Sequence, residues 1–506
     1  MDHMVLMGID LGTSGLKVAL FDPDGTRLAS VSRELPLMCR HQGWAEQDPD
    51  HWWAVLRELM PELRDKAPQA LNNLAMIAVT GQQSSPVLLN REGWVLTNSP
   101  IWMDRRTALE CRELEERFGG AALYEATGLR PDPMYTVYKL MWLKKHEPEV
   151  WRETALVMQP KDFINYRLTG LAATDYGSAA ATQVFDLQAL AWHRGLLAAA
   201  DIEPSLFSEP GFSSQVLGTV REELSAAWGW PRGVPVVIGG GDTTVSALGC
   251  GVRQPGDTAI VIGTSSDVVT CVEKPVIDPQ RRIGCYPYSL PGMFMTIAGS
   301  NSSGAILNWC RDTFFAAEKA EAAQAGLSVF DLMLEGAAKL PIGAEGLICL
   351  PYFSGERSPI FNPEAKGLIS GFSLMHTRSH LVRALVEGIT LSIYDRLKVA
   401  EDLNLPMDRI LLTGGGAKND FWRQMITDAI GRPTYCTEAQ EAAGLGAAML
   451  AATGAGLYPT VRAACEAMAP AVRETRPNPE HRGAYERLYL RFKDLYARNR
   501  DFYANI

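Results

Sequence analysis

Apolar residues dominate Val5 to Leu11 and Leu16 to Asp22, with Gly12-Thr13-Ser14-Gly15 between them, a pattern that predicts a β-hairpin. Asp22-Pro23-Asp24-Gly25 then predicts a turn into a third strand near Leu28 to Glu34. The next stretch, DPDHWWAVLRELMPELRDK, predicts a helix with Asp48 as its N-cap and Pro49 in the first turn. Leu74 to Gly81 reads as an apolar strand, Pro86 to Leu96 as a second hairpin and Arg105 to Phe118 as a charged helix. Strands and helices alternate in this way to about residue 245, which predicts the α/β class.

The opening pattern then recurs. AIVIGTSSDVVTCV, residues 259–272, lies over the first hairpin without a gap: Ile9 falls on Ile260, Leu11 on Ile262, and Gly12-Thr13-Ser14 on Gly263-Thr264-Ser265. Asp10 falls on Val261, so a carboxylate inside the strand belongs to the first copy alone. A chain of 506 residues exceeds one ordinary core. Two related domains are expected, 1–245 and 246–506, with the last helices free to pack back on the first.

Composition narrows the function. The chain is 47% hydrophobic and 21% charged, and its net charge of −10 argues against a nucleic-acid partner. The nine cysteines form no C-x-x-C pair, which predicts buried thiols in a reducing compartment. The longest weakly polar run, Ala442 to Leu457, is short of the roughly 18 residues that span a bilayer, and the N-terminus shows no leader pattern. The expectation is a cytoplasmic protein without a membrane partner.

Glycine-rich turns end four apolar strands: DLGTSG (10–15), VVIGGGDTT (236–244), VIGTSSD (261–267) and ILLTGGGAKND (410–420). Such turns let backbone N–H groups approach phosphate oxygens. Neither a P-loop nor a dinucleotide fingerprint is present, and GLGAAM (444–449) reads as small residues for close helix packing. In its bare position Asp242 fits a helix cap or a catalytic carboxylate equally well. His376 and His380 lack the glutamate of a zinc motif and read as surface residues near a helix start.

MYTVYKLMW (134–142), LPYFSGERSP (350–359), TGGGAKNDFWRQMITDAIGRP (413–433) and WAEQDPDHWW (44–53) carry a more specific resemblance. With the paired hairpins they resemble the FGGY family of carbohydrate kinases, most closely its xylulose-phosphorylating branch. The resemblance implies a two-domain actin-like (ribonuclease H-like) fold with an inter-domain cleft. It implies ATP and Mg²⁺ as cofactors and a small sugar or polyol as acceptor, with a homodimer suggested by family analogy alone. The first domain would bind sugar and carry catalysis, and the second would bind nucleotide.

By the same resemblance Asp242 is the general base and Asp10 holds Mg²⁺ through water. Gly12, Thr13 and Ser14 meet the transferring phosphoryl group, Gly263 and Thr264 the nucleotide phosphates, and Gly414, Gly415 and Asn419 the adenosine. Gln83, Ser84, Asp104 and Thr243 join Asp242 at the sugar, with Arg106 beside Asp104. GQQSSP (81–86) departs from the branch, which has a histidine where this chain has Gln83 and Ser84. The acceptor could therefore be another ketose or a polyol. A rival from a different class is an actin- or Hsp70-like ATPase without a sugar.

Overall fold

The computed structural model describes residues 4–326, 328–437 and 441–503. Val5–Leu11 (β1), Gly15–Phe21 (β2) and Arg27–Glu34 (β3) form the expected antiparallel run. Leu74–Gly81 (β4), Val216–Thr219 (β5) and Pro235–Gly241 (β6) complete a sheet in the order β5-β6-β4-β1-β2-β3. β4 runs parallel to both β1 and β6.

Both faces of this sheet are covered, so its central strands read as continuous apolar runs rather than alternating ones. Met7, Ile9 and Leu11 of β1 pack on the helix Pro49–Lys66 through Trp52, Leu56 and Leu59. Asp48 caps that helix by accepting from Asp50 N at 2.9 Å. Leu6, on the other face, joins Leu445 and Met449 of the helix Ala442–Gly454. Asp10 belongs to this second face by strand alternation.

Asp257–Ile262 (β7), Ser266–Val272 (β8), Gly284–Pro287 (β9), Phe294–Gly299 (β10), Arg409–Thr413 (β11), Thr434–Thr437 (β12) and Val472–Thr475 (β13) form the second sheet. Its order is β9-β10-β8-β7-β11-β12-β13. Helices Gly304–Phe314, Arg378–Asp402 and Asp420–Ile430 cover one face. Ala259, Val269 and Leu411, on the other, enter a core shared with the first sheet.

Two helices stitch the halves together through that core. Asp242–Gly249, at the end of the first half, crosses Ala442–Gly454 from the second. A Cβ on Gly446 would stand 2.0 Å from Val245 O, and one on Gly249 1.9 Å from Ala442 O, so only glycine allows this crossing. The small residues of GLGAAM serve close helix packing, as expected. The final helix, Pro479–Tyr503, packs within the second half through Tyr485, Leu488 and Phe492.

Four local expectations change. The two hairpins start at equivalent positions, yet Leu11 pairs with Leu16 whereas Ile262 pairs with Ser266, so the second turn is one residue tighter. Residues 86–96 close a short hairpin with a Leu89–Val95 bridge, but Val87–Leu89 pairs mainly with Leu156–Met158. The charged helix begins at Ala108 because Asp104 and Arg106 are bound up in the preceding turn. His380 is buried rather than exposed, with Nε2 2.9 Å from Glu345 Oε2 and Nδ1 in a capping box with Thr377. Eight cysteines are buried and Cys39 is exposed, and none of the nine is in a disulfide. Among the described residues no helix is long and apolar enough to cross a membrane.

Candidate active site

The strand ends of the first sheet meet the second half at a cavity of about 290 Å³. The first half contributes Thr13, Gln83, Ser84, Trp102, Asp242 and Thr243, and the second contributes Ser265, Asp267, Tyr286 and Arg357. The sugar-site expectations other than Asp104 therefore converge, together with the proposed base.

Asp242 begins its helix directly after β6, with Gly241 as the N-cap. One carboxylate oxygen, Oδ1, accepts from Thr243 N at 2.7 Å and Thr243 Oγ1 at 3.3 Å. Capping and exposure to the cavity are thus compatible. Burial pushes this carboxyl up to about 6, with Asp267 adding a smaller upward push against the hydrogen bonds from Thr243. Such a group is ionised at neutral pH and basic enough to take a proton from a hydroxyl.

Gln83 lies against β6 so closely that a Cβ on Gly241 would stand 2.2 Å from its Cδ. Its Nε2 is buried without a partner. Ser84 is buried at φ 57°, in the left-handed region, and its hydroxyl donates to Ala181 O at 3.0 Å. Trp102 Nε1 donates to Thr13 Oγ1 at 2.8 Å, and the Thr13 O–H donates in turn to Gln82 Oε1 at 3.5 Å.

Asp104 is not part of the cavity wall. It is fully buried; Oδ2 accepts from Ala45 N at 2.7 Å and from Arg106 Nη2 at 2.7 Å. The same Arg106 nitrogen reaches Glu46 Oε1 at 2.6 Å, and the guanidinium lies 3.4 Å over the Trp44 ring. The structure does not bring Asp104 to the cavity with the other expected sugar residues: its oxygens are taken up by a buried ion pair that shapes the turn carrying Trp102.

A second cavity, about 250 Å³, holds Asp10, Lys17, Thr413, Gly414 and Glu441. Asp10 is pushed up to about 7, first by burial and then by Asp242, with Lys17 opposing and Glu441 adding a little. A carboxylate so crowded by negative charge fits a divalent cation, whose binding would relieve both burial and repulsion. Among the described residues no cluster of three metal-ligating side chains exists, so Mg²⁺ at Asp10 would need water and phosphates to complete its shell.

The remaining nucleotide expectations fall on turns. Gly12 N donates to Gly15 O at 3.0 Å and Ser14 is exposed. Gly263 and Thr264 are exposed, and their carbonyls accept from Gly304 N and Ser303 N, both at 2.9 Å, at the start of helix Gly304–Phe314. Gly414 (φ 90°) and Gly415 lead into a short 3₁₀ turn. Asn419 is the N-cap of Asp420–Ile430, accepting from Trp422 N at 3.2 Å and donating to Asp331 Oδ1 at 2.9 Å. Its amide is committed within the protein, so the turn backbone is the free surface here.

The family model of the N-terminal domain of FGGY carbohydrate kinases matches residues 5–249, and that of the C-terminal domain matches residues 258–455. The chain belongs to the FGGY family of carbohydrate kinases. It is 30% identical over 500 residues to the xylulose kinase of Bacillus subtilis (strain 168), covering 98% of this chain and 97% of that one. It is 31% identical over 461 residues to the gluconokinase of Bacillus licheniformis, covering 90% and 87%. The crystal structure of xylulose kinase from Rhodospirillum rubrum matches with a TM-score of 0.89 at 32% identity, covering 99% of this chain and all of that one. This FGGY chain is an ATP-dependent sugar phosphotransferase with the two-domain actin-like fold, and the ATPase rival falls away.

Sequence reasoning missed Trp102, Arg357 and Lys139 as site-shaping residues. Arg357 donates to Ser300 O at 3.0 Å and faces Asp267 at 3.4 Å, with a buried, unpartnered Nε. Arg357 and Lys139 stand inside the quoted motifs LPYFSGERSP and MYTVYKLMW, and Trp102 two residues before Asp104, but only the folded contacts separate them from their neighbours.

Proposed function

We propose that this kinase transfers the γ-phosphoryl group of Mg-ATP to a hydroxyl of D-xylulose. The observation that carries the proposal is Asp242, an ionised, largely buried carboxylate on the wall of the inter-domain cavity. Asp242 accepts the proton of the acceptor hydroxyl as that oxygen forms its bond to the γ-phosphorus. The bond from the γ-phosphorus to the β,γ-bridging oxygen breaks, and ADP leaves with the electron pair. A loose phosphoryl-transfer transition state asks the protein mainly for positioning and charge neutralisation. Thr13 and the 263–264 turn would face the phosphates from opposite halves, and the 414–415 turn the adenosine. Asp10 would hold Mg²⁺, which when bound neutralises phosphate charge.

A second reading has a specific observation behind it. Arg130 lines the same cavity and makes no ion pair among the described residues, and Arg357 and the unpartnered Gln83 Nε2 add further donors. Three donors around one space suit a sugar acid as well as a ketose. The test is ADP release with Mg-ATP over pentuloses, hexuloses, polyols and sugar acids. The proposal expects D-xylulose to give the highest kcat/KM. D-gluconate exceeding it would establish the second reading, and no acceptor-dependent release would overturn both.

A further inference from the structure

Lys139 is a fully buried lysine that makes no ion pair among the described residues. It sits on the helix Thr136–His146 and donates from Nζ to two backbone carbonyls, Ser84 O and, at 2.7 Å, Ile101 O. Those carbonyls belong to the two loops that bring Gln83, Ser84 and Trp102 to the cavity. The Ile101 carbonyl also accepts Asp104 N at 2.9 Å, closing the turn from which Trp102 projects.

The same helix face ties down the rest of this wall. Thr136 Oγ1 accepts from Gln159 Nε2 at 3.1 Å, and Gln159 Oε1 accepts from Ser85 N at 3.4 Å. Ser85 Oγ in turn accepts from Trp102 N at 3.2 Å. Trp142, one turn further on, has its ring centroid 4.9 Å from the Arg106 guanidinium that pairs with Asp104. Thr136, Lys139 and Trp142 recur every three residues and so share one side of the helix.

We infer that Lys139 is a positioning residue for the acceptor: by joining Ser84 O to Ile101 O it holds Gln83 and Trp102 at the spacing the acceptor requires. Ser84 shows what must be held. A non-glycine residue in the left-handed region relaxes unless its surroundings over-determine it, and the lysine ammonium binds that residue's own carbonyl. Lysine suits the role because its apolar stem tolerates burial while Nζ donates to several acceptors. Burial with no adjacent carboxylate pushes Lys139 well below the usual lysine range, Asp104 being the first of the charges that oppose this. Among the described residues no nucleotide turn hydrogen-bonds to it directly, and only the Trp102–Thr13 bond links its loops to a phosphate turn, so its effect falls chiefly on the acceptor.

The inference rests on the acceptor site proposed above, and its test separates the two. Lys139→Met keeps the stem and removes the donor. For D-xylulose, or for D-gluconate if the unmodified chain turns that over instead, kcat/KM falls at least tenfold and calorimetric acceptor affinity weakens, while ATP affinity stays within twofold. Absence of turnover by the unmodified chain would refute the acceptor site; normal turnover with unchanged Lys139→Met acceptor affinity would refute the lysine's role. Equal losses for sugar and ATP would also refute it. If Lys139→Met does not fold, Thr136→Val, which removes the Gln159 tie, must show the same selective loss in weaker form. An unaltered acceptor affinity in Thr136→Val would then overturn the inference.

Discussion

Replacing Asp242 with asparagine keeps the shape of the side chain and removes its charge. Asn Oδ1 can still accept from Thr243 N, so the helix start survives. Burial raises the carboxyl from 3.8 to about 6, equivalent to about 3 kcal/mol. The sign follows from the direction. Below pH 3.8 both folded and unfolded chains are protonated and the group costs nothing. Between there and about 6 the unfolded chain ionises first, so stability falls as pH rises, and above about 6 the folded protein carries the whole penalty. Asp242→Asn therefore gains up to about 3 kcal/mol over the parent at pH 8, a rise of a few degrees in Tm, and roughly half of that at pH 5. Loss of a general base costs roughly 10²- to 10⁴-fold in kcat. Coupled ADP release measures the second effect, thermal unfolding at pH 5 and pH 8 the first, and calorimetry checks that ATP affinity is retained. A variant within tenfold of parental kcat, or one no more stable at pH 8, would refute the assignment.

Asp10→Ala is expected to raise the Mg²⁺ concentration for half-maximal rate by tenfold or more, and an unchanged requirement would count against the metal role. Because burial, and after it Asp242, pushes Asp10 up to about 7, the parent itself should need more Mg²⁺ at pH 6 than at pH 8; a flat requirement would contradict that reasoning. Asp104→Asn leaves Arg106 buried with only Glu46 as a charged partner and should cost about 3 kcal/mol in denaturant unfolding, while kcat at saturating acceptor stays within a few-fold. Intact stability would mean the ion pair is not structural, and a collapse of kcat alone would return Asp104 to the sugar.

Much of the architecture is legible because each sheet is sandwiched between helices. Two covered faces force uninterrupted apolar strands, and these are visible in VLMGIDL and LAMIAVTG without any contact information. The exception inside the first run, Asp10, stands out for the same reason, since the equivalent Val261 shows the strand tolerates an apolar residue there. Register is less legible. The tighter second turn displaces the pairing by one residue without altering the hydrophobic pattern of either strand, so an ungapped overlay cannot see it. The 86–96 stretch fails differently: its short strand pairs with residues 156–158, and a local turn signal says nothing about so distant a partner.

At the site, the difficulty is that a motif names residues without saying which of their hydrogen bonds are already made. Asp104 and Ser84 stand in segments that point to the acceptor, yet the Asp104 carboxylate is consumed by Arg106 and Ala45 N, and the Ser84 hydroxyl by Ala181 O. Gln83 Nε2 and Arg357 Nε carry the opposite signature, buried donors without a partner. A buried donor left unpaired costs about 1–3 kcal/mol, and a protein retains that cost where a ligand completes the bond. On this criterion Gln83 and Arg357, from opposite halves, are the proposed acceptor contacts. The Ser84 hydroxyl and Asp104 carboxylate already make hydrogen bonds within the wall. Recognition divided in this way would tie acceptor binding to the approach of the halves, since neither half alone presents both donors.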